Sequence, residues 1–324
     1  MFRRLLFALV ALVLPAAPVL AQPLYSDVFF FGTSALDTGN WLLDDDLKNH
    51  PAAPTADKGY YDGRWQSGPA FSDYLAQALG HDATPSLAGG QNYAYGFGWM
   101  GPLAGEAAPT PGTLRAQTAL YFSSQVTSAL TDYSSVLPSD ALYVINIGSN
   151  DFDFFGRTTA QAGVVAGAAV SQIQRLVNAG ATNFLVQTLG GAVDPFLAYN
   201  AALLGGLSSI SGITLTVLDT RMFNQTVLLA PGYLAGLGIT SFGSCNTDAA
   251  CLEAAIAATT AGNPYLDSPY LLFDTVHRDP KVSQAMARYA VAQLPVQVPE
   301  PASASLLVLS ALGLCLVGRR QRRH

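Results

Sequence analysis

Phe29-Phe30-Phe31-Gly32-Thr33-Ser34-Ala35-Leu36-Asp37-Thr38-Gly39-Asn40 is an apolar run that stops abruptly in a small polar loop. The run predicts a buried strand that delivers Ser34 to its own carboxyl end. In open α/β sheets the crevice for ligands and reacting groups lies there, floored by the strand ends. Taken singly, Ser34 is an ordinary turn residue, since serine is common in such loops.

Working outward, residues 141–147 form an apolar stretch suited to burial on both faces, as a central parallel strand requires. This stretch also ends in a polar loop, Gly148-Ser149-Asn150-Asp151. Residues 183–188 and 213–218 read as further strands, residues 89–98 as a short strand ending in glycines, and residues 270–274 as a segment that returns to the sheet. Helical spacing marks residues 70–79, 113–130, 159–179, 198–207 and 280–294, with Gly180 capping the third. The alternation predicts an α/β fold of three layers, α/β/α, around a doubly wound, mostly parallel sheet of about five strands. Residues 230–262 dissolve into glycine turns and read as an excursion with a short helix. No nucleotide-binding glycine loop is present, because Gly89-Gly90 lacks the spacing such loops need.

The two ends of the 324-residue chain differ from its middle. Arg3 and Arg4 precede a short apolar run, and small residues lead up to Gln22, which predicts a secretory signal peptide over residues 1–21. The apolar run is shorter than the ~20 residues of a membrane span, which weighs against a permanent amino-terminal anchor. At the other end, Pro299-Glu300-Pro301 leads into an apolar segment, residues 302–318, and then Arg319-Arg320-Gln321-Arg322-Arg323-His324. An apolar helix closed by a basic cluster holds a chain in the membrane with its tail in the cytoplasm. This leaves residues 22–297 as one large domain.

Six of the 16 Lys and Arg residues and one of the 22 acids belong to the terminal segments, so the middle carries ten basic against 21 acidic side chains. A surface about eleven negative, without clustered Lys and Arg, excludes nucleic acid as a partner. Cys245 and Cys251 form an even pair close in sequence, read as a disulfide in an exported chain. No further Cys or His accompanies them to suggest a metal site, and nothing calls for an organic cofactor.

Ser34, Gly96, Asn150 and the pair Asp274 and His277 all stand at the ends of apolar runs. Together they supply the parts of an acyl-transfer site: a hydroxyl nucleophile, a base, a carboxylate that orients the base, and donors for a developing oxyanion. Asp274 precedes His277 by three residues, a spacing that lets both side chains leave one turn on the same side. The nucleophile elbow of α/β-hydrolases is ruled out, because Gly32-Thr33-Ser34-Ala35-Leu36 lacks its second glycine.

The order of these motifs resembles the GDSL esterases and lipases of the SGNH hydrolase superfamily. Phe31, Gly32, Ser34, Asp37, Thr38, Gly39 and Asn40 match the first motif of that family. Gly63-Arg64-Trp65 through Gly68-Pro69 resembles a further segment, Asn92-Tyr93-Ala94-Tyr95-Gly96 the second motif, Gly148 to Asp151 the third and Asp274-Thr275-Val276-His277 the last. The resemblance implies a flavodoxin-like strand order and a serine esterase or lipase that works through an acyl-enzyme. It makes Ser34 the nucleophile, His277 the base, Asp274 its orienting acid, and Ser34 N–H, Gly96 and Asn150 the oxyanion donors. Thr33 stands in place of the family's aspartate and Phe97 in place of a second glycine, so a weakened serine loop and a narrowed oxyanion loop are expected.

The carboxyl-terminal segment resembles the PEP-CTERM sorting signal over residues 298–324. That resemblance implies a bacterial protein exported to the cell surface or extracellular matrix through a membrane-anchored intermediate, with exosortase-type machinery as partner. The expected substrate is an ester, either a lipid or an acylated saccharide. An acyltransferase using the same site, a non-catalytic surface or matrix protein retaining the fold, and a membrane-spanning structural protein remain as alternatives.

Overall fold

The computed structural model describes residues 24–295; the expected signal peptide and sorting segment, with its apolar helix, lie outside them. Four strands, β1 (Val28–Gly32), β2 (Leu142–Asn146), β3 (Asn183–Gln187) and β4 (Thr214–Leu218), form one parallel sheet in the order β1-β2-β3-β4. The register pairs Gly32 with Asn146 and Ile145 with Val186, so the carboxyl ends of β1, β2 and β3 finish side by side. Every residue of β1 and β2 is buried, which explains why both read as unbroken apolar runs.

The fifth strand is reduced to a bridge. Asn92 pairs in parallel with Phe30 on the free edge of β1, and the Tyr93 amide donates to the Phe30 carbonyl at 2.8 Å. Counted along the chain, this gives the order second, first, third, fourth, fifth, the flavodoxin-like arrangement. The segment stays short because its carbonyls have other duties: the Asn40 side-chain amide takes those of Asn92 and Ala94 at 2.7 and 3.0 Å.

Helices cover both faces. Six helices of eight residues or more occur among the described residues: α1 (Phe71–Ala78), α2 (Phe122–Asp132), α3 (Ala162–Asn178), α4 (Asp194–Leu207), α5 (Ala249–Thr260) and α6 (Pro280–Gln293). Phe29, Phe31, Tyr143, Ile145, Phe184 and Val186 point to one side, where they join apolar residues of α2, α3 and α4 in a single core. Strand side chains alternate, so Phe30, Val144 and Leu185 face the opposite side. There α1 packs on α6, and Gln187, of the same parity as Leu185, donates to the Met286 sulfur of α6. Asp279 caps α6 by accepting from the Lys281 amide at 2.9 Å, and Pro280 occupies the first turn, where its missing N–H costs nothing.

Three expectations about secondary structure change. The helix foreseen over residues 113–130 begins only at Phe122, after two short 3-10 turns. Trp99 causes the delay: its amide donates to the Leu120 carbonyl and its carbonyl accepts from the Phe122 amide, which holds Tyr121 extended. The segment near residue 270 does not rejoin the main sheet. Its strand β6 (Tyr270–Leu272) pairs instead with β5 (Ser241–Ser244) in a separate two-stranded sheet. The excursion over residues 230–262 therefore has its own framework, in which α5 is a full 12-residue helix and the disulfide between Cys245 and Cys251 joins Phe273 in a small core.

Candidate active site

Ser34 stands two residues past the end of β1, on a turn clamped from two sides. Gln125 of α2 donates to the Gly32 carbonyl at 2.9 Å and accepts from the Gly32 amide at 2.7 Å. Thr33 uses its amide on the Asn146 carbonyl at 3.0 Å and its hydroxyl on Asn146 Oδ1 at 2.6 Å. Gly32 is required here: its φ is +140°, and a Cβ would lie 1.8 Å from the Asn146 carbonyl oxygen. Thr33, which replaces a carboxylate in the family pattern, thus ties the serine turn to β2 through a neutral hydrogen bond.

The rest of the loop is organised by Asp37, which is fully buried. Its Oδ1 accepts from the amides of Gly39 and Asn40, both at 2.9 Å; its Oδ2 accepts from the Gly96 amide at 2.8 Å and the Trp65 indole at 3.3 Å. Burial still raises its carboxyl above the ordinary value, outweighing four donors.

Asp274 and His277 arrive from the turn after β6. Oδ1 of Asp274 accepts from the amides of Val276 and His277 at 2.8 and 2.7 Å, which closes that turn. Its Oδ2 meets His277 Nδ1 at 2.7 Å and accepts from the Tyr60 hydroxyl at 2.9 Å. On the far side of the ring, His277 Nε2 lies 2.7 Å from Ser34 Oγ. A carboxylate at Nδ1 assigns the proton to that nitrogen and leaves Nε2 free to accept from the serine. Burial pushes Asp274 up, but the hydrogen bond and charge of His277 and the two backbone amides overcome it, so its carboxyl sits below the ordinary range. Tyr60 moves the other way: burial and the neighbouring Asp274 charge hold its hydroxyl protonated well above the usual value.

The anticipated oxyanion donors divide. Asn150 lines the same cleft as Ser34 and His277, with one N–H of its side chain donated to the Gly98 carbonyl at 2.8 Å and the second without a partner among the described residues. Neighbouring Asp151 is held by Arg157 and by the Met100 amide at 3.2 Å, which fixes the turn that presents Asn150. Gly96 does not have a free donor. Its amide is committed to Asp37, and a Cβ at Gly96 would lie 2.1 Å from the Trp65 ring, so the glycine makes room for the indole. The next residue, Phe97, takes a left-handed φ of +55°, and among the described residues its amide and that of Ser34 carry no hydrogen bond. The Phe97 ring packs on Trp41, Trp65 and Phe154, with centroids 5.7, 5.5 and 5.1 Å away. Trp65 in turn lies 5.6 Å from the His277 ring.

Ser34, Trp65, Asn150 and His277 open into a cleft of about 400 Å³ lined further by Gln187, Thr188, Asn224 and Arg278. Among the described residues no cluster of His, Cys, Asp or Glu is placed to hold a metal ion, and no helix is long and apolar enough to cross a membrane. Sequence reasoning did not anticipate Tyr60, Gln125 or Asn146 as supports. Asp37 was visible as part of the first motif, but its four donors were not.

Chemically, the arrangement can take the proton of Ser34 Oγ onto His277 Nε2 while Asp274 balances the ring. The family model described as GDSL-like Lipase/Acylhydrolase matches residues 28–201, a stretch that includes Ser34, Gly96 and Asn150 and stops short of Asp274 and His277. Over 248 residues the chain is 28% identical to Lipase 1 of Photorhabdus luminescens, an overlap of 69% of this chain and 34% of that protein. The chain thus spans about a third of the length of the curated relative it matches.

Proposed function

The chain belongs to the GDSL-like lipase/acylhydrolase family, and from that premise we propose that it is an ester-hydrolysing enzyme that cleaves carboxylic esters through an acyl-enzyme on Ser34. The observation that carries this reading is the unbroken relay from Ser34 Oγ through His277 to Asp274, with both contacts at 2.7 Å. In the first half-reaction Ser34 Oγ attacks the ester carbonyl carbon as its proton passes to Nε2. The carbonyl oxygen becomes an oxyanion, met by the Ser34 amide and the second Asn150 N–H. Collapse breaks the bond to the alcohol, which leaves with the proton from Nε2. Water then repeats the sequence on the acyl-enzyme and releases the carboxylic acid.

The relay also counts against a non-catalytic surface protein, since that role needs no polarised serine. An acyltransferase would share every step except the last, where a sugar or alcohol replaces water. The terminal segments support export to a bacterial cell surface or matrix through a temporary membrane anchor cut by an exosortase-type enzyme.

The test is Ser34→Ala. The variant is expected to lose hydrolysis of a short acyl nitrophenyl ester and labelling by a fluorophosphonate while keeping the wild-type urea midpoint. Rates like those of the unaltered enzyme would overturn the assignment.

A further inference from the structure

Beside the cleft that holds Ser34 and His277 runs a second cavity of about 440 Å³, and the two share Asn224, Val276 and Arg278. Beyond that shared rim the wall is apolar: Leu228, Leu229, Leu234, Phe242, Leu271 and Leu272. Leu229, Phe242 and Val276 are 60%, 66% and 51% exposed, an unusual concentration of large apolar side chains left in water beside a reaction site. The rim is polar and held in place. Arg278 Nη2 donates to Asn224 Oδ1 at 2.9 Å, and its guanidinium stands 5.7 Å from the centre of the Phe223 ring. Residues Asn224–Leu228 are wound as a π-helix, a rare geometry that sets Asn224 against Arg278 while Leu228 lines the groove.

An ester group at Ser34, polar donors at the junction and an apolar groove beyond match a substrate with a hydrocarbon tail. We propose that the groove over Leu228, Leu229, Phe242 and Leu271 receives the acyl chain, so that the enzyme selects esters of medium and long-chain carboxylic acids; this rests on the reading of Ser34 as the nucleophile. The acyl part fits the groove better than the alcohol part does. It stays bonded to Ser34 through both half-reactions and gains from a lasting apolar contact, whereas the alcohol must depart after the first.

The experiment measures kcat/KM over two ester series, one with acyl chains from acetate to dodecanoate on a fixed alcohol, the other with acetates of lengthening alkanols. Burial of each methylene is expected to raise kcat/KM by about two- to fourfold along the acyl series until the groove is filled, the lower figure reflecting a groove open on one side. Leu229→Asp and Phe242→Ser, both exposed and outside the cleft that holds Ser34 and His277, are expected to flatten the acyl series while leaving acetate hydrolysis within about twofold. A non-catalytic readout accompanies it: Ser34→Ala should bind dodecanoate more tightly than butanoate, and Leu229→Asp in that background should erase the difference. A flat acyl series, an unchanged slope in the two groove variants, or a slope along the alcohol series instead overturns the inference. Absence of Ser34-dependent hydrolysis of the acetate ester overturns the nucleophile reading itself, so the two failures are distinguishable.

Discussion

Replacing Asp274 by asparagine isolates what the carboxylate contributes, because the structure dictates how the amide must sit. Oδ1 faces the Val276 and His277 amides, so the asparagine oxygen has to take that place. The reversed orientation would leave two backbone donors unmet, at about 1–3 kcal/mol each. The amide nitrogen then stands where Oδ2 meets His277 Nδ1 and Tyr60. Tyr60 adapts by turning its hydroxyl into an acceptor. His277 cannot adapt without harm: Nδ1 must become the acceptor, the ring proton moves to Nε2, and that nitrogen presents a hydrogen to Ser34 where it should take one. A triad trapped in this tautomer loses about four orders of magnitude in kcat, about 5.5 kcal/mol of barrier. The assay is kcat and KM on a short nitrophenyl ester beside a urea denaturation curve. KM and the urea midpoint are expected to change little while kcat collapses. A loss below about tenfold in a variant of normal stability would refute the assignment of Asp274 as the group that orients His277.

Two further predictions concern stability. Burial pushes the Asp279 carboxyl up to about 6, against an ordinary value near 4, so the folded protein binds a proton there that the unfolded chain has released. Stability from this group is present below pH ~4 and declines as pH rises toward 6; Asp279→Asn, which keeps the cap on Lys281, should gain on the parent by about 2–3 kcal/mol between pH 4 and pH 7 in urea titrations, and a pH-independent gap would contradict this. Cys245 and Cys251 are six residues apart, and loop closure of that size is worth about 2 kcal/mol, so the double serine variant should unfold at correspondingly lower urea, and an unchanged midpoint would show the bond to be energetically idle.

Much of the frame was legible because burial on both faces leaves an unmistakable trace. The runs that became β1 and β2 are almost wholly apolar, and β3 is apolar between Asn183 and Gln187. The edge bridge at Asn92 was harder to size, since a strand's length depends on which partner claims its carbonyls, and here Asn40 claims two. The delayed start of α2 follows from Trp99, distant in sequence, and the pairing of β6 with β5 from a neighbour that looks like loop. At the site, residue types were readable and hydrogen-bond commitments were not. A motif marks Gly96 as special, but only the folded structure reveals that its amide belongs to Asp37. Tyr60 reaches Asp274 across 214 residues, a contact with no local signature.

The close contacts beneath Ser34 also bear on how this enzyme can change over generations. A methyl group at Gly32 or at Gly98 would fall within about 2 Å of a backbone oxygen, so those positions are closed to every other side chain. Leu229 and Phe242 have no such constraint: both side chains stand in solvent, and Phe242 lies in a segment stapled by the nearby disulfide. Selection for a new substrate therefore has one inexpensive direction. It can rewrite the far wall while the nucleophile's cradle stays as it is, and laboratory libraries should be concentrated on the same half of the molecule.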